Sequence, residues 1–381
     1  MAWSCKKTEN DSTTQQEVAF VKTTVGEIIP GQYIVQLKDG ATPIRAAKLS
    51  YSDAQVRMVE EVQKILGASE IAMRDPLYVY TASIEGFALK LSEEEAAALS
   101  KNESVLSICN DQIITLARPA PNPSPLPAEV TPWGITRVGG HVDSEGKVAW
   151  IIDTGIDLDH PDLNVDKGRG KSFVTRVSSP DDDNGHGTHC AGIVAAIDNT
   201  IGVVGVAAGA TVVPFKVLDK RCSGTISGII AGVDYVTGKG QPGDAVNMSL
   251  GGGISTALDD AVEGMAAKGL FVALAAGNES DDALNHSPAR VEATNVWTVS
   301  AFGEGDVFAY FSNYGNPPIE FSAPGVSILS TYKGGQLATM SGTSMAAPHV
   351  CGLLLVTNGN PKSGGTVNGD PDDEPDVIAH N

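Results

Sequence analysis

A serine hydroxyl becomes a useful nucleophile only when a nearby group takes its proton and a third group holds that base in place. Three stretches of this 381-residue chain carry the residue types for that chemistry. Ser344 lies in Ser341-Gly-Thr-Ser-Met-Ala-Ala-Pro-His349, where small residues run into an apolar stretch at 350–356. The pattern predicts a tight loop delivering Ser344 to the start of a buried helix. First-turn amides of such a helix are unpaired donors with partial positive charge, suited to a developing oxyanion. His186 stands between glycines in Asn184-Gly-His-Gly-Thr-His-Cys190, at the start of another helix. Asp153 ends an apolar run, 148–152, and so belongs at the rim of a sheet. Singly, the serine reads as a helix cap and the aspartate as a turn residue. Together the three make a nucleophile, its base and the acid that orients the base. Asn278, after the glycine turn of Ala275-Ala-Gly-Asn, adds a side-chain amide suited to an oxyanion.

Two rival chemistries are weaker. His186 and His189 sit three apart on one helix, as a metal pair would, but no HExxH pattern or carboxylate completes a ligand set there. His189 reads as a hydrogen-bonded structural histidine. Gly168-Arg-Gly-Lys-Ser172 resembles the end of a phosphate loop, yet the glycine that loop needs at position 165 is Val165, and no apolar strand precedes it.

The elements that must position these residues fall into two grammars. In the first, Gly31–Lys38 alternates as a strand and Ser52–Leu66 carries a helical stripe of Met58, Val59, Val62, Ile65 and Leu66, opened by a Ser52/Gln55 capping box. Strands at 78–82 and 87–91, a helix at 92–100 and a strand at 105–115 follow. The order β-α-β-β-α-β predicts a small α+β ferredoxin-like unit over 28–117, after a mobile polar segment, 1–27. Residues 117–132 hold six prolines and read as an extended linker, assigned to 118–132. In the second grammar, near-continuous apolar runs at 148–152, 211–218, 245–250, 270–275 and 296–300 suit strands covered on both faces. Helices at 186–196, 227–237, 255–268 and 344–356 alternate with them. This predicts a doubly wound α/β domain with a mainly parallel sheet over 133–381, its active residues at the carboxyl ends of the strands. The tail from Asn358 reads as irregular surface cover.

A formal net charge of −20 makes nucleic acid an unsuitable partner. Five scattered cysteines do not make a disulfide framework, and no apolar run of 18 or more residues exists to span a membrane. The N-terminus shows no apolar leader. Cys5 followed by Lys6 and Lys7 resembles the mature start of a lipoprotein, so lipid anchoring through Cys5 is one expectation.

Asp153-Thr-Gly, Asn184-Gly-His-Gly-Thr-His, Ser249-Leu-Gly-Gly, Ala275-Ala-Gly-Asn278 and Ser341-Gly-Thr-Ser-Met-Ala-Ala-Pro-His resemble the subtilisin-like serine proteases over about residues 130–357. Thr131-Pro-Trp-Gly, His189-Cys190 and Ser312-Asn-Tyr-Gly resemble the proteinase K branch. Pro30-Gly-Gln-Tyr-Ile-Val and Gly86-Phe87 resemble the inhibitory propeptide of the same family. The resemblance implies a secreted endopeptidase precursor. Ser344 attacks, His186 serves as base and then acid, Asp153 orients it, and Asn278 with the Ser344 amide forms the oxyanion hole. It also implies that Ser249, Leu250, Gly251, Ala275 and Gly277 wall a roomy pocket for an apolar or aromatic residue before the cut. Ser223 and Gly224 pair with substrate backbone, which makes specificity broad. The chain is expected to cut itself between about Leu116 and Arg118, leaving residues 28–117 as inhibitor and folding chaperone. Protein and peptide substrates, a monomeric proenzyme and no organic cofactor are implied. Structural calcium at Thr294, Val296 and Glu320 is a further expectation, with the acidic tail at 370–376 as a second place. Cys190, one turn beyond His186, is expected under the imidazole.

Overall fold

A computed structural model describes residues 22–117, 121–372 and 374–381. The N-terminal unit follows the expected order: β1 (Lys22–Leu37), α1 (Tyr51–Ala68), β2 (Tyr78–Tyr80), β3 (Gly86–Lys90), α2 (Glu93–Leu99) and β4 (Val105–Ala117). Its antiparallel sheet runs β2-β3-β1-β4. Helix α1 buries Met58, Val62, Ile65 and Leu66 against it. The capping box predicted at Ser52 is absent. Ser50 caps α1 through the Asp53 amide, and Gln55 reaches Thr81 and Asp234 instead. Helix α2 has a full capping box, Ser92 with Glu95. Strand β1 begins at Lys22, inside the segment expected to be mobile, and pairs along β4 as far as Lys22 with Ala117. The rest of that segment, with Cys5, lies outside the described residues.

The second unit comprises α3 (Trp133–Arg137), β5 (Val148–Asp153), β6 (Lys171–Ser172), α4 (His186–Ala195), β7 (Thr211–Lys216), β8 (Ser223–Thr225), α5 (Ile226–Lys239), β9 (Ala245–Met248) and α6 (Thr256–Ala266). It continues with β10 (Phe271–Ala275), β11 (Val296–Gly303), β12 (Val307–Phe308), β13 (Ile319–Pro324), β14 (Ile328–Tyr332), β15 (Gln336–Met340), α7 (Thr343–Thr357), β16 (Lys362–Thr366) and β17 (Val377–His380). The main sheet runs β16-β17-β13-β11-β10-β9-β5-β7-β6. Its pairs are parallel from β6 to β17. One core packs α4 and α7 on one face, around Val194, Val350 and Leu354. The other packs α5 and α6 on the opposite face, around Ile230, Val262 and Met265. Burial on both faces is why these strands read as unbroken apolar runs.

One expectation is sharpened here and one fails. The proline-rich stretch is extended but docked: Ser124 bridges Leu337, Ala128 bridges Ile201 and Val130 bridges Val203. Proline removes donors from a strand but leaves isolated bridges between prolines available. The tail is not irregular, because β17 joins the main sheet beside β13 and β16 folds back on it. Glycines and exposed acids hide a strand that only an edge position permits.

Candidate active site

Strand β5 has β7 on one side and β9 on the other, so the chain reverses direction across the sheet at its carboxyl end. In doubly wound sheets that crevice is where side chains meet a ligand. Asp153 is the last residue of β5 and is fully buried. Its carboxylate receives Nδ1 of His186 at 2.8 and 2.9 Å, and the Thr154 N–H at 2.6 Å. His186 is the first residue of α4 and is also fully buried. Two glycines allow the approach. Gly185 caps α4 with φ of 110°, and a Cβ there would lie 2.3 Å from the Tyr332 ring. A Cβ on Gly187 would lie 2.1 Å from the Gly155 carbonyl and 3.1 Å from Cβ of Asp153. The buried Asp182 carboxylate holds the loop before the helix, accepting from Gly185 N at 2.8 Å and Thr188 N at 3.0 Å.

Ser344 enters α7 immediately after Gly342 and Thr343. Pro348, four residues on, has no N–H, so the Ser344 carbonyl loses its helical donor. The Ser249 hydroxyl replaces it at 2.8 Å, and Sγ of Cys190 lies 3.3 Å away. Cys190 also sits 3.9 Å from the Asp153 carboxylate, so its hydrogen-bond contacts are with Asp153 and the Ser344 carbonyl, where the expectation put it under the imidazole. Burial first, and then the charge of Asp153, push its thiol far up, keeping it protonated. Asp153, His186 and Cys190 bring one donor atom each within 4.8 Å of one another, but Nδ1 is committed to both Asp153 oxygens and the thiol is held neutral. That cluster serves the imidazole better than a metal.

The Ser344 hydroxyl donates to the Ser249 carbonyl at 3.3 Å, not to His186. Nε2 of His186 is buried with no hydrogen-bond partner among the described residues. The buried Asp153–His186 pair is thus assembled, with Nε2 free among the described residues. Asn278 accepts from the Thr343 N–H at 2.8 Å and Thr343 hydroxyl at 3.1 Å through Oδ1. That anchor turns its amide nitrogen away from Thr343. Leu250, Gly251, Ala275, Gly277, Asn278 and Ser344 line one pocket together with Leu116. His189 is structural: its Nε2 meets the carbonyls of Ile328 and Ala338.

The N-terminal unit is seated on this crevice. Strand β4 pairs antiparallel with β8, Ile113 to Thr225, Ile114 to Gly224 and Thr115 to Ser223, and the Leu116 N–H donates to the Cys222 carbonyl. A Cβ on Gly252 would meet the Ile114 side chain at 3.0 Å.

The comparisons with known proteins agree with this geometry. Residues 144–370 match the model of the subtilase family, Peptidase S8. The chain belongs to the subtilase family. Residues 32–117 of this subtilase match the peptidase inhibitor I9 family. It is 36% identical to the alkaline serine protease ver112 of Corniculantispora psalliotae over 89% of this chain and 83% of that protein. It is 35% identical to proteinase R of Parengyodontium album over 86% and 79%, and 36% identical to an extracellular serine proteinase of Thermus sp. over 91% and 84%. Among solved structures, a cold-adapted subtilisin-like serine proteinase superimposes with a TM-score of 0.57 at 35% identity, covering 65% of this chain and 97% of that one. The subtilase is therefore a serine protease of the subtilisin-like fold preceded by an I9 propeptide.

Sequence reading missed the residues that lock the subtilase to its propeptide. Asp111 on β4 accepts from the Ser227 N–H at 3.0 Å and its hydroxyl at 2.5 Å, capping the start of α5 from the other unit. Asp234 on α5 accepts three successive amides, Thr81 at 2.9 Å, Ala82 at 2.7 Å and Ser83 at 2.9 Å, with the Tyr51 hydroxyl at 3.0 Å. Burial raises the Asp234 carboxyl. An aspartate in an otherwise apolar helix, Ile229 to Val236, was the available signal. At Thr294, Val296 and Glu320, one Glu320 oxygen is taken by the Thr298 N–H, and burial pushes its carboxyl up to about 8. As arranged, one carboxylate is a poor set for an ion that takes six to eight oxygens, and no chemistry is routed through it.

Proposed function

We propose that this subtilase is an endopeptidase precursor in which Ser344 is the nucleophile, His186 its general base and then acid, and Asp153 the group that fixes the imidazole tautomer. The observation that carries the reading is the buried Asp153–His186 pair at 2.8 and 2.9 Å, with Nε2 left open beside the start of α7. Nδ1–H is donated to the carboxylate, so Nε2 carries the lone pair that accepts the serine proton. Attack on a carbonyl drives negative charge onto its oxygen, where the Asn278 amide and the Ser344 N–H receive it. The imidazolium then gives its proton to the leaving amine, and water repeats the sequence on the acyl-enzyme.

Substrate lies as β4 lies, adding a strand to Ser223 and Gly224, with main-chain bonds supplying affinity and little selectivity. Ser249, Leu250, Gly251, Ala275 and Gly277 receive an apolar or aromatic side chain before the cut. The register carries Leu116 to the pocket that Ser344 lines, which supports a self-cut between about Leu116 and Arg118, placed here after Ala117. Domain limits then read 28–117 for the inhibitor and 133–381 for the catalytic unit, with 118–132 becoming a docked arm. Export to the cell exterior and a monomeric state belong to the same proposal.

The test is direct. Purified wild-type chain, incubated and mapped by mass, should release a fragment ending at Ala117, hydrolyse casein and take a fluorophosphonate label at Ser344. Ser344→Ala should stay full length. A label elsewhere, or cleavage of isolated Ser344→Ala at the same bond, refutes the assignment.

A further inference from the structure

Lys216 is the last residue of β7, and its side chain is fully buried. An ammonium ion is retained in a core only where its charge and donors are met. Nζ donates to the Thr154 carbonyl at 2.7 Å and to the Asp183 carboxylate at 2.5 Å. These two acceptors belong to the two loops that carry the dyad. Thr154 follows Asp153, donates its N–H to the Asp153 carboxylate and accepts the Gly187 N–H on Oγ1 at 2.9 Å. The carbonyl of Asp153 itself is held by the N–H groups of Val217 and Leu218 at 2.9 and 3.1 Å. Asp183 sits in the loop that enters α4, next to Asp182, and its own carbonyl receives Nζ of Lys333.

We infer that Lys216 is a positioning residue for the reaction: its ammonium ties the Asp153–Thr154 turn to the 181–185 loop and so fixes the spacing of Asp153 and His186. The inference rests on the triad reading above. Its physical basis is that the ammonium adds a charged tie at the β5 end itself, where the other links to that loop, Ile156 with Pro180 and Asp182 and Leu158 with the Asp181 carboxylate, lie farther along the chain. A neutral side chain of equal length fills the space but leaves the Thr154 carbonyl without its donor and lets the loop drift. Proton transfer tolerates little such drift, because a displacement of about 1 Å costs about a hundredfold in rate. The charged groups that bond the loops flanking the dyad are Asp181, Asp182 and Asp183 before α4, Lys216 on β7 and Lys333 after β14.

The test uses activated enzyme, with active sites counted by fluorophosphonate titration, so that misfolded protein does not enter kcat. Lys216→Met should lower kcat about thirtyfold with KM within about twofold, and Lys216→Arg should recover part of the loss. In the inactive Ser344→Ala background, the downfield proton resonance of the His186 Nδ1–H, assigned by its absence in His186→Ala, should broaden or move in Lys216→Met. Asp183→Asn, which keeps the lysine but removes its half-exposed counter-charge, should lower kcat about threefold at unchanged KM. Wild-type kcat with an unmoved resonance in Lys216→Met, or a change confined to KM, overturns the inference. If Lys216→Met does not fold, Asp183→Asn decides, and an unchanged kcat and resonance there overturn it. Wild-type enzyme that takes no label at Ser344 would instead remove the triad reading itself.

Discussion

At the scale of single residues, the site depends on groups that replace a missing partner. Pro348 strips the Ser344 carbonyl of its helical donor, and Ser249 restores it. Asn278 is anchored by Oδ1, which leaves its amide for an oxyanion. Asn278→Leu should therefore lower kcat about 100- to 1,000-fold while KM barely moves, a magnitude known for the equivalent donor of subtilisin. Steady-state kinetics on a peptide amide checks this. His349, just over one turn beyond Ser344, is fully buried, donates Nδ1–H to the Met345 carbonyl at 2.8 Å, and has Nε2 without a hydrogen-bond partner among the described residues. Burial lowers its pKa to about 4. The unfolded chain thus binds a proton near pH 6.5 that the folded chain refuses until about 4. Stability from this group is complete above about 6.5 and falls by about 3 kcal/mol as the pH drops to about 4. His349→Gln should flatten that part of the acid-unfolding curve, measured by denaturant titration of Ser344→Ala between pH 4 and 7.

At the scale of elements, inhibition is a matter of edges and helix ends. Strand β4 completes β8, Asp111 caps α5 and the 81–83 loop is clasped by Asp234. A helix end with its amides met by a carboxylate gains about 1 kcal/mol. Removing that carboxylate by Asp111→Ala should shorten the lag before casein hydrolysis appears without changing kcat of the activated enzyme. The same face offers a steric control. A Cβ on Gly264 of α6 would lie 2.2 Å from the Ser83 carbonyl. Gly264→Val should loosen the propeptide and leave the mature active site untouched, read as faster activation at equal kcat.

At the scale of the whole molecule, the two units share a core. Ile34, Tyr80, Ile84, Ala88, Ile114 and Leu116 of the propeptide pack in one cluster with Ile226, Ile230, Ala257 and Met265 of the catalytic unit. Apolar area buried between units returns to water when they part. Activated enzyme freed of residues 22–117 should bind more of an environment-sensitive apolar dye than Ser344→Ala precursor at equal concentration. Equal dye binding would mean that the mature surface closes over the vacated patch.

The amino-acid sequence by itself determined the two-unit plan, the alternation of strand and helix and the identity of the candidate site, because these rest on local signals. Unbroken apolar runs mark strands buried on both faces, glycines mark close approach at His186, and small residues mark the entry to α7. What the tertiary structure alone decided rests on pairing between distant segments. The arm at 124–130 and strand β17 are polar or proline-rich, and only their neighbours make them bridges or strand. Ser50 caps α1 in place of Ser52, and Gln55 is drawn to Thr81 in its own unit and to Asp234 across the interface. Lys216 and Asp234 are single charged residues within apolar stretches, and Asp111 sits between Asn110 and Gln112 in β4. Their spacing announces nothing, and their role exists only where a partner 33 to 183 positions away comes within hydrogen-bond reach.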